Sequence, residues 1–247
     1  MIKSHVTTHL IELRQRLLIT LGFWLVASVL CYLYATPLIW HFLTAPFINT
    51  LKIASPTFYF FDLPGAFLLH LKMACYSGVA FTVPVLLWHL WRFLKPGLYA
   101  REQRHLRLFF LGAPLLFIGG VLFCYYFILS NAWQFFMLYE MPAKQGSAQL
   151  AYLPQIDLYI DLTLNLLLAF GASFELPIIL ISLSLCHLIS SSGLAEKRRY
   201  VIVGLFIFAA VVTPPDILSQ VALAIPLWLL FEGTIVIIRL LEKPKKK

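Results

Sequence analysis

The sequence predicts an all-α integral membrane protein with six transmembrane helices, and three observations carry that prediction. Of its 247 residues, 61% are hydrophobic and only 12% charged, with a mean hydropathy of +0.85, well outside the balance of a water-soluble domain. Apolar runs of about 20 residues recur, the length that a hydrocarbon core of ~30 Å requires of a helix rising ~1.5 Å per residue. The alternation over roughly ten residues that marks a membrane β-barrel is absent.

The expected helices are 17–35, 66–93, 106–129, 156–187, 200–213 and 217–241. Ahead of the first, residues 1–16 form an amphipathic segment with an apolar stripe of Val6, Leu10, Leu13 and Leu17. The first run is longer than a signal-peptide core and has no clear small-x-small cleavage site, so it reads as a span and not a leader. Two loops, 36–65 and 130–155, combine Pro with aromatics instead of a Gly/Ser linker composition and are expected to form ordered caps. In the fourth helix Pro177 cannot donate to the Ser173 carbonyl, so a bend is expected there. The fifth, at ~1.5 Å per residue, would be only ~21 Å long. Thr213-Pro214-Pro215-Asp216 predicts a tight reversal, with Asp216 capping the last helix. Residues 243–247 are a basic tail. No repeat of 20 to 50 residues is present, and 1–247 reads as one domain.

Of the 19 Lys and Arg residues, all but Lys52, Lys72 and Lys144 fall in the two terminal segments, the second-to-third and fourth-to-fifth connections and the adjoining helix ends. By the positive-inside rule both termini are cytoplasmic. The net charge of +8 is thus an orientation signal, and its spread over membrane-flanking segments excludes a nucleic-acid surface. The tail adds attraction to anionic membrane lipid. Cys31, Cys75, Cys124 and Cys186 lie in apolar segments with neither CxxC nor His-interleaved spacing, which points to packing and not to a metal or disulfides. No Walker loop, nucleophile elbow or dinucleotide fingerprint occurs, so no cofactor, nucleotide hydrolysis or covalent catalysis is expected.

Carboxylates are the informative residues. Glu12, in His9-Leu10-Ile11-Glu12-Leu13-Arg14-Gln15-Arg16, and Glu102, among Arg92, Lys95, Arg101, Arg104 and Arg107, are acids on a basic face. Glu12 can be satisfied locally by Arg16 at i,i+4, worth ~0.2 to 0.5 kcal/mol. Alternatively the two acids receive a pair of guanidiniums, whose planar forks bind carboxylates bidentately, while the surrounding positive charge repels generic cations. Glu175, near the middle of the fourth span, would cost ~2.5 to 3.5 kcal/mol if ionised there, so it must be protonated, paired or facing a wet cavity. Gly171, one turn away, leaves room for a polar group or another helix. Glu232 suits neutralisation by a nearby cation, and Asp157 and Asp161 suit compensation of a helix dipole. His5 and His9 lack further ligands, so no metal site is expected.

Taken together, these stretches resemble the TatC family, the polytopic subunit of the twin-arginine protein translocase. His9 to Arg14 resembles its N-terminal signature, Ala45-Pro46 its first outer loop, and Pro84 through Trp91-Arg92-Phe93 with Pro96 and Tyr99 its second span and exit. Phe170-Gly171 through Phe174-Glu175-Leu176-Pro177 is similar to its fourth-span motif, Lys197 to Tyr200 to the next cytoplasmic turn, and Thr213 to Asp216 through Gln220 to the final hairpin. A Gln103 follows Glu102 where the family commonly has a basic residue. The resemblance implies a concave, cup-shaped bundle with short fifth and sixth spans in a bacterial inner membrane, or an organellar one. It implies a receptor for the paired arginines of signal peptides on folded proteins, which are exported by the protonmotive force. Glu12, Glu102, Arg14, Phe93 and Pro46 are the implied signal-peptide residues. Glu175 and Gln220 are the implied intramembrane contacts for TatA-like and TatB-like single-span partners, with self-association in a receptor complex. Pro214, Pro215 and Asp216 form the implied structural turn. Two competing classes remain at this point, a secondary transporter with Glu175 as proton site and a structural scaffold.

Overall fold

The computed structural model describes residues 2–51, 63–94, 100–137, 155–212 and 217–242. All regular structure among them is helical: α1 (Ile2–Leu30), α2 (Thr36–Leu51), α3 (Gly65–Leu94), α4 (Ala100–Phe123), α5 (Ser130–Met137), α6 (Ile156–Ser173), α7 (Leu176–Leu185), α8 (Ser191–Glu196), α9 (Arg198–Val212) and α10 (Ile217–Leu241). Among the described residues five stretches are long and apolar enough to cross a membrane: Ile11–Ile48, Gly65–Phe93, Phe109–Gln134, Ile156–Leu185 and Gln220–Leu241. The short fifth helix is α9, 15 residues long.

The first helix does not stop at residue 35. It passes through a π-helical turn, Cys31–Ala35, straight into α2, so much of the expected loop 36–65 is a continuation of the span. Pro37, one residue into α2, has no amide to donate and would leave a gap in the backbone ladder. In the i→i−5 register its missing bond would go to the Tyr32 carbonyl, and the Thr36 hydroxyl donates to that oxygen instead (2.7 Å). Likewise the third span continues through a second π-turn, Cys124–Leu129, into α5, which shortens the expected loop 130–155. The fourth helix breaks where Pro177 requires it, between α6 and α7. The expected reversal at Pro214, Pro215 and Asp216 lies outside the described residues, as does the tail 243–247.

The bundle has two unlike ends. At one, Phe47 of α2, Trp133 of α5 and Tyr159 of α6 pack edge to face and tilted with ring centroids 4.7 to 5.9 Å apart, over Leu43, Leu69, Met73 and Ile160. Such aromatic pairs each contribute ~0.5–1.5 kcal/mol beyond burial. The buried Tyr159 hydroxyl donates to the Leu43 carbonyl (2.6 Å). Pro46 is buried in this cap. Towards the other end, Leu87, Phe110, Ala113 and Ile178 form a smaller core.

Close backbone approaches hold the spans together. A Cβ on Gly78 would meet the Ser28 Oγ at 2.1 Å, and α1 and α3 are joined also by Trp24 Nε1 donating to the Cys75 carbonyl (3.1 Å). Between α4 and α6 the fit is reciprocal: a Cβ on Gly120 would strike the Phe170 carbonyl (2.7 Å) and the Phe174 ring (2.8 Å), and one on Gly171 the Phe117 ring (2.6 Å). Of the two expectations for Gly171, a polar group or another helix, the second is the one met: the glycine admits the Phe117 ring of the third span. Cys31 and Cys124 are buried and Cys75 and Cys186 half-buried, as packing residues would be.

Candidate functional site

The end of the bundle opposite the aromatic cap carries the charge. Here α1 passes the C-terminal turns of α3, and Arg16 joins them. One guanidinium nitrogen donates to the His89 carbonyl (3.0 Å) and another pairs with the Glu12 carboxylate. The Arg16 side chain is 12% exposed, whereas that of Glu12 is 42% exposed. The local pair expected from i,i+4 spacing is thus present. What spacing could not reveal is that Arg16 also anchors Glu12 to the second span. Arg14 and Arg92 are exposed beside this joint in sequence, and Phe93 is half-buried one turn beyond His89.

Helix α4 begins at Ala100, with five residues between it and the end of α3, and Glu102 lies in its first turn. Phe110 of α4 packs with Leu87 near the end of α3, so α4 begins at the end of the bundle where Arg16 meets His89, the end that carries Glu12. Placement of the Glu102 side chain lies outside the described residues. Pro46 does not join them. Glu12 and Pro46 are at opposite ends of the helical stretch Ile11–Ile48, separated along its axis by about 50 Å at ~1.5 Å per residue.

The same face is stitched by pairs that the sequence reading reached only in part. Glu232 accepts from Arg198 through two nitrogens (2.7 and 2.8 Å), the neutralisation expected of it. Glu242 caps α8, accepting from the Ser191 amide (2.9 Å) and from the Ser191 hydroxyl. These contacts bring the end of α10 to the α7–α9 connection.

Glu175 is the second kind of carboxylate. It stands at the break between α6 and α7, is 5% exposed, and neither carboxylate oxygen has a hydrogen-bond partner among the described residues. Its chain neighbours Phe174 and Pro177 line a groove of about 540 Å³ shared with Phe109 and Leu116 of α4 and Leu230 of α10. Gln220 lies in the first turn of α10 and is half-buried. Among the described residues no group of three or more His, Cys, Asp or Glu could hold a metal.

With this arrangement in view, the comparisons are specific. The profile of the family described as Sec-independent protein translocase protein (TatC) matches residues 8–226. The chain belongs to the TatC family. A TatC protein of Magnetococcus marinus is 36% identical over 98% of this chain and 87% of its own length, and that of Escherichia coli is 34% identical over 91% and 84%. A crystal structure described as the twin-arginine translocase receptor TatC superposes with a TM-score of 0.79 at 34% identity, covering 94% of this chain and 98% of that one. Membership makes this TatC chain a component of the twin-arginine translocase, a multi-pass membrane protein whose work is transport and not catalysis.

Proposed function

We propose that this chain is the signal-peptide receptor and core subunit of the translocase. It binds the paired arginines of signal peptides at the cytoplasmic face and exports folded proteins by the protonmotive force, without nucleotide hydrolysis. The observation that carries the reading is the Glu12 joint. Glu12 is a substantially exposed carboxylate on a basic face, held in place by an arginine that is itself fastened to the second span. An ionised carboxylate has about four lone-pair sites, so pairing with Arg16 leaves capacity for an incoming guanidinium. Glu102, on the same face, takes the second arginine, with Arg14 and Phe93 at the margin of the contact.

In this reading the chain has six spans with both termini cytoplasmic, α9 being the short fifth, and forms one concave domain in the bacterial inner membrane. The charge distribution supports that orientation, because Arg14, Arg16, Arg92, Arg107, Lys197, Arg198, Arg199 and Arg239 share an end with Glu12. TatA-like and TatB-like single-span subunits are the partners, meeting the chain along the face that includes Glu175 and Gln220, and copies self-associate in the receptor complex. The enclosed carboxyl of Glu175 supports a partner contact, because a buried polar group without a bond costs ~1–3 kcal/mol that a donor on an incoming helix would recover. Pro46 belongs in this proposal only as part of the outer cap.

A photo-crosslinker placed beside Glu12 tests the reading when Arg-Arg and Lys-Lys signal peptides are offered to membranes. The expected result is labelling by the Arg-Arg peptide that Glu12→Ala abolishes. Equal labelling by both peptides, indifferent to Glu12→Ala, would reject it and leave the scaffold.

A further inference from the structure

Towards the aromatic-capped end, α3 and α6 carry a short ladder of polar groups that neither the fold nor the proposed receptor uses. The Lys72 ammonium donates to both oxygens of Asp161 (2.7 and 2.9 Å), and one turn further in the Tyr76 hydroxyl donates to the Asn165 side-chain carbonyl (2.7 Å). This corrects the sequence reading of Asp161 as a dipole-compensating residue: its partner is a lysine on another span. Both members of the ion pair remain open, with side-chain exposures of 46% and 37%, and Asp157 adds a second negative charge acting on Lys72. Below the ladder lies an apolar groove of about 380 Å³, lined by Leu38, Phe42, Tyr76, Phe81, Leu164 and Leu168 among others. It shares Phe42 and Phe81 with a neighbouring groove of about 350 Å³.

We propose that this strip binds one phospholipid with an ammonium-bearing zwitterionic headgroup, its phosphate on Lys72, its ammonium on Asp161, and an acyl chain in the groove. Depth supports it. The helix α3 has 30 residues, or about 45 Å at ~1.5 Å per residue, and overhangs a ~30 Å hydrocarbon core by several ångströms at each end. Lys72 and Asp161, seven and five residues into their helices, therefore sit near the core's edge, where headgroups lie. The order of chemistry follows that of a phospholipid. Charges come first. About 6 Å deeper, four residues along the helix, is Asn165, whose Nδ2 can donate to an ester carbonyl while its oxygen is taken by Tyr76. Apolar walls come last. An open ammonium beside an open carboxylate matches a headgroup that carries both charges, and disfavours a purely anionic one, which offers Asp161 no cation.

The test is native mass spectrometry of the full chain released from micelles containing equal amounts of phosphatidylethanolamine and phosphatidylglycerol. The expected result is a retained phosphatidylethanolamine adduct, reduced at least tenfold by the paired change Lys72→Gln with Asp161→Asn, which removes both charges and strands neither. Leu168→Trp, which fills the groove and leaves the charges in place, is expected to reduce the same adduct. A phosphatidylethanolamine with a diazirine in its acyl chain should label the peptides containing Phe81 and Leu168. Equal retention of the two lipids, unchanged by either variant, would overturn the proposal, and so would labelling outside the groove. If the paired variant does not fold, Leu168→Trp and the labelled peptides decide the matter.

Discussion

Glu12 and Glu175 are both acids of one largely apolar chain, and they are solved in opposite ways. Glu12 is open to water and paired with an arginine fixed to a neighbouring helix. Glu175 is shut in, with neither oxygen bonded among the described residues. A paired, exposed carboxylate adds little to stability and is kept ready for exchange with another cation. An enclosed, unpaired one reduces the stability of the isolated chain and is relieved only when something else supplies a donor. The first suits recognition of a mobile peptide, and the second suits assembly.

The largest effect expected is at Gly171, one turn before Glu175. A side chain at Gly171 has no space against the buried Phe117 ring, and overpacking of this kind costs ~1–3 kcal/mol or more. Gly171→Val should lower the unfolding temperature in detergent and make Glu175 reactive to a carbodiimide, a change that would erase the contrast between the two acids. Unaltered melting and reactivity would show that α4 and α6 separate freely.

Glu175→Leu sharpens the comparison from the other side. Replacing an unbonded buried carboxyl by an apolar group of similar size should stabilise the isolated chain by ~1–3 kcal/mol, while co-purification of single-span partners and export both fall. Glu175→Gln should insert and retain part of the export. A leucine variant that assembles and exports as the wild type does would end the assembly role.

Arg16 is the joint that distinguishes Glu12 from an ordinary surface acid. Arg16→Met removes a charge-assisted hydrogen bond to the His89 carbonyl, of a kind worth ~1.5–3 kcal/mol, and frees Glu12 from α3. Affinity for an Arg-Arg signal peptide should fall several-fold with the spans still inserted. If affinity rises instead, Arg16 acts as a competitor and not as an anchor. Glu232→Gln gives the smallest effect, because its pair with Arg198 is partly exposed and pairs of that type contribute ~0.2–1 kcal/mol. A shift in melting of only a degree or two is expected, with peptide binding unchanged.

How much of this was written in the sequence depends on how far each residue reaches. The spans follow from hydropathy, and the break before α7 from Pro177, because both are properties of one segment. The Glu12–Arg16 pair follows from i,i+4 spacing on one helix. Beyond one helix the signal fails. The segment from 36 has the look of a loop, yet the Thr36 hydroxyl supplies the donor that Pro37 lacks and the helix runs on to Leu51. Asp161 has the look of a dipole residue, yet its partner Lys72 is 89 positions away. Gly171 announces a close approach without saying that Phe117 makes it. The Arg16 contact with His89, which turns a local pair into a site, spans 73 positions, and no periodicity encodes it.

The central claim is that Glu12 reads a guanidinium and not merely a positive charge. A double-mutant cycle measures this directly, pairing Glu12→Gln in the full chain with Lys-Lys in place of Arg-Arg in the signal peptide, and reading equilibrium binding in membranes. A coupling above about 1 kcal/mol is predicted, as expected of a bidentate charged pair in contact. Additive effects, with coupling below ~0.3 kcal/mol, would contradict the account and return Glu12 to its local pair with Arg16.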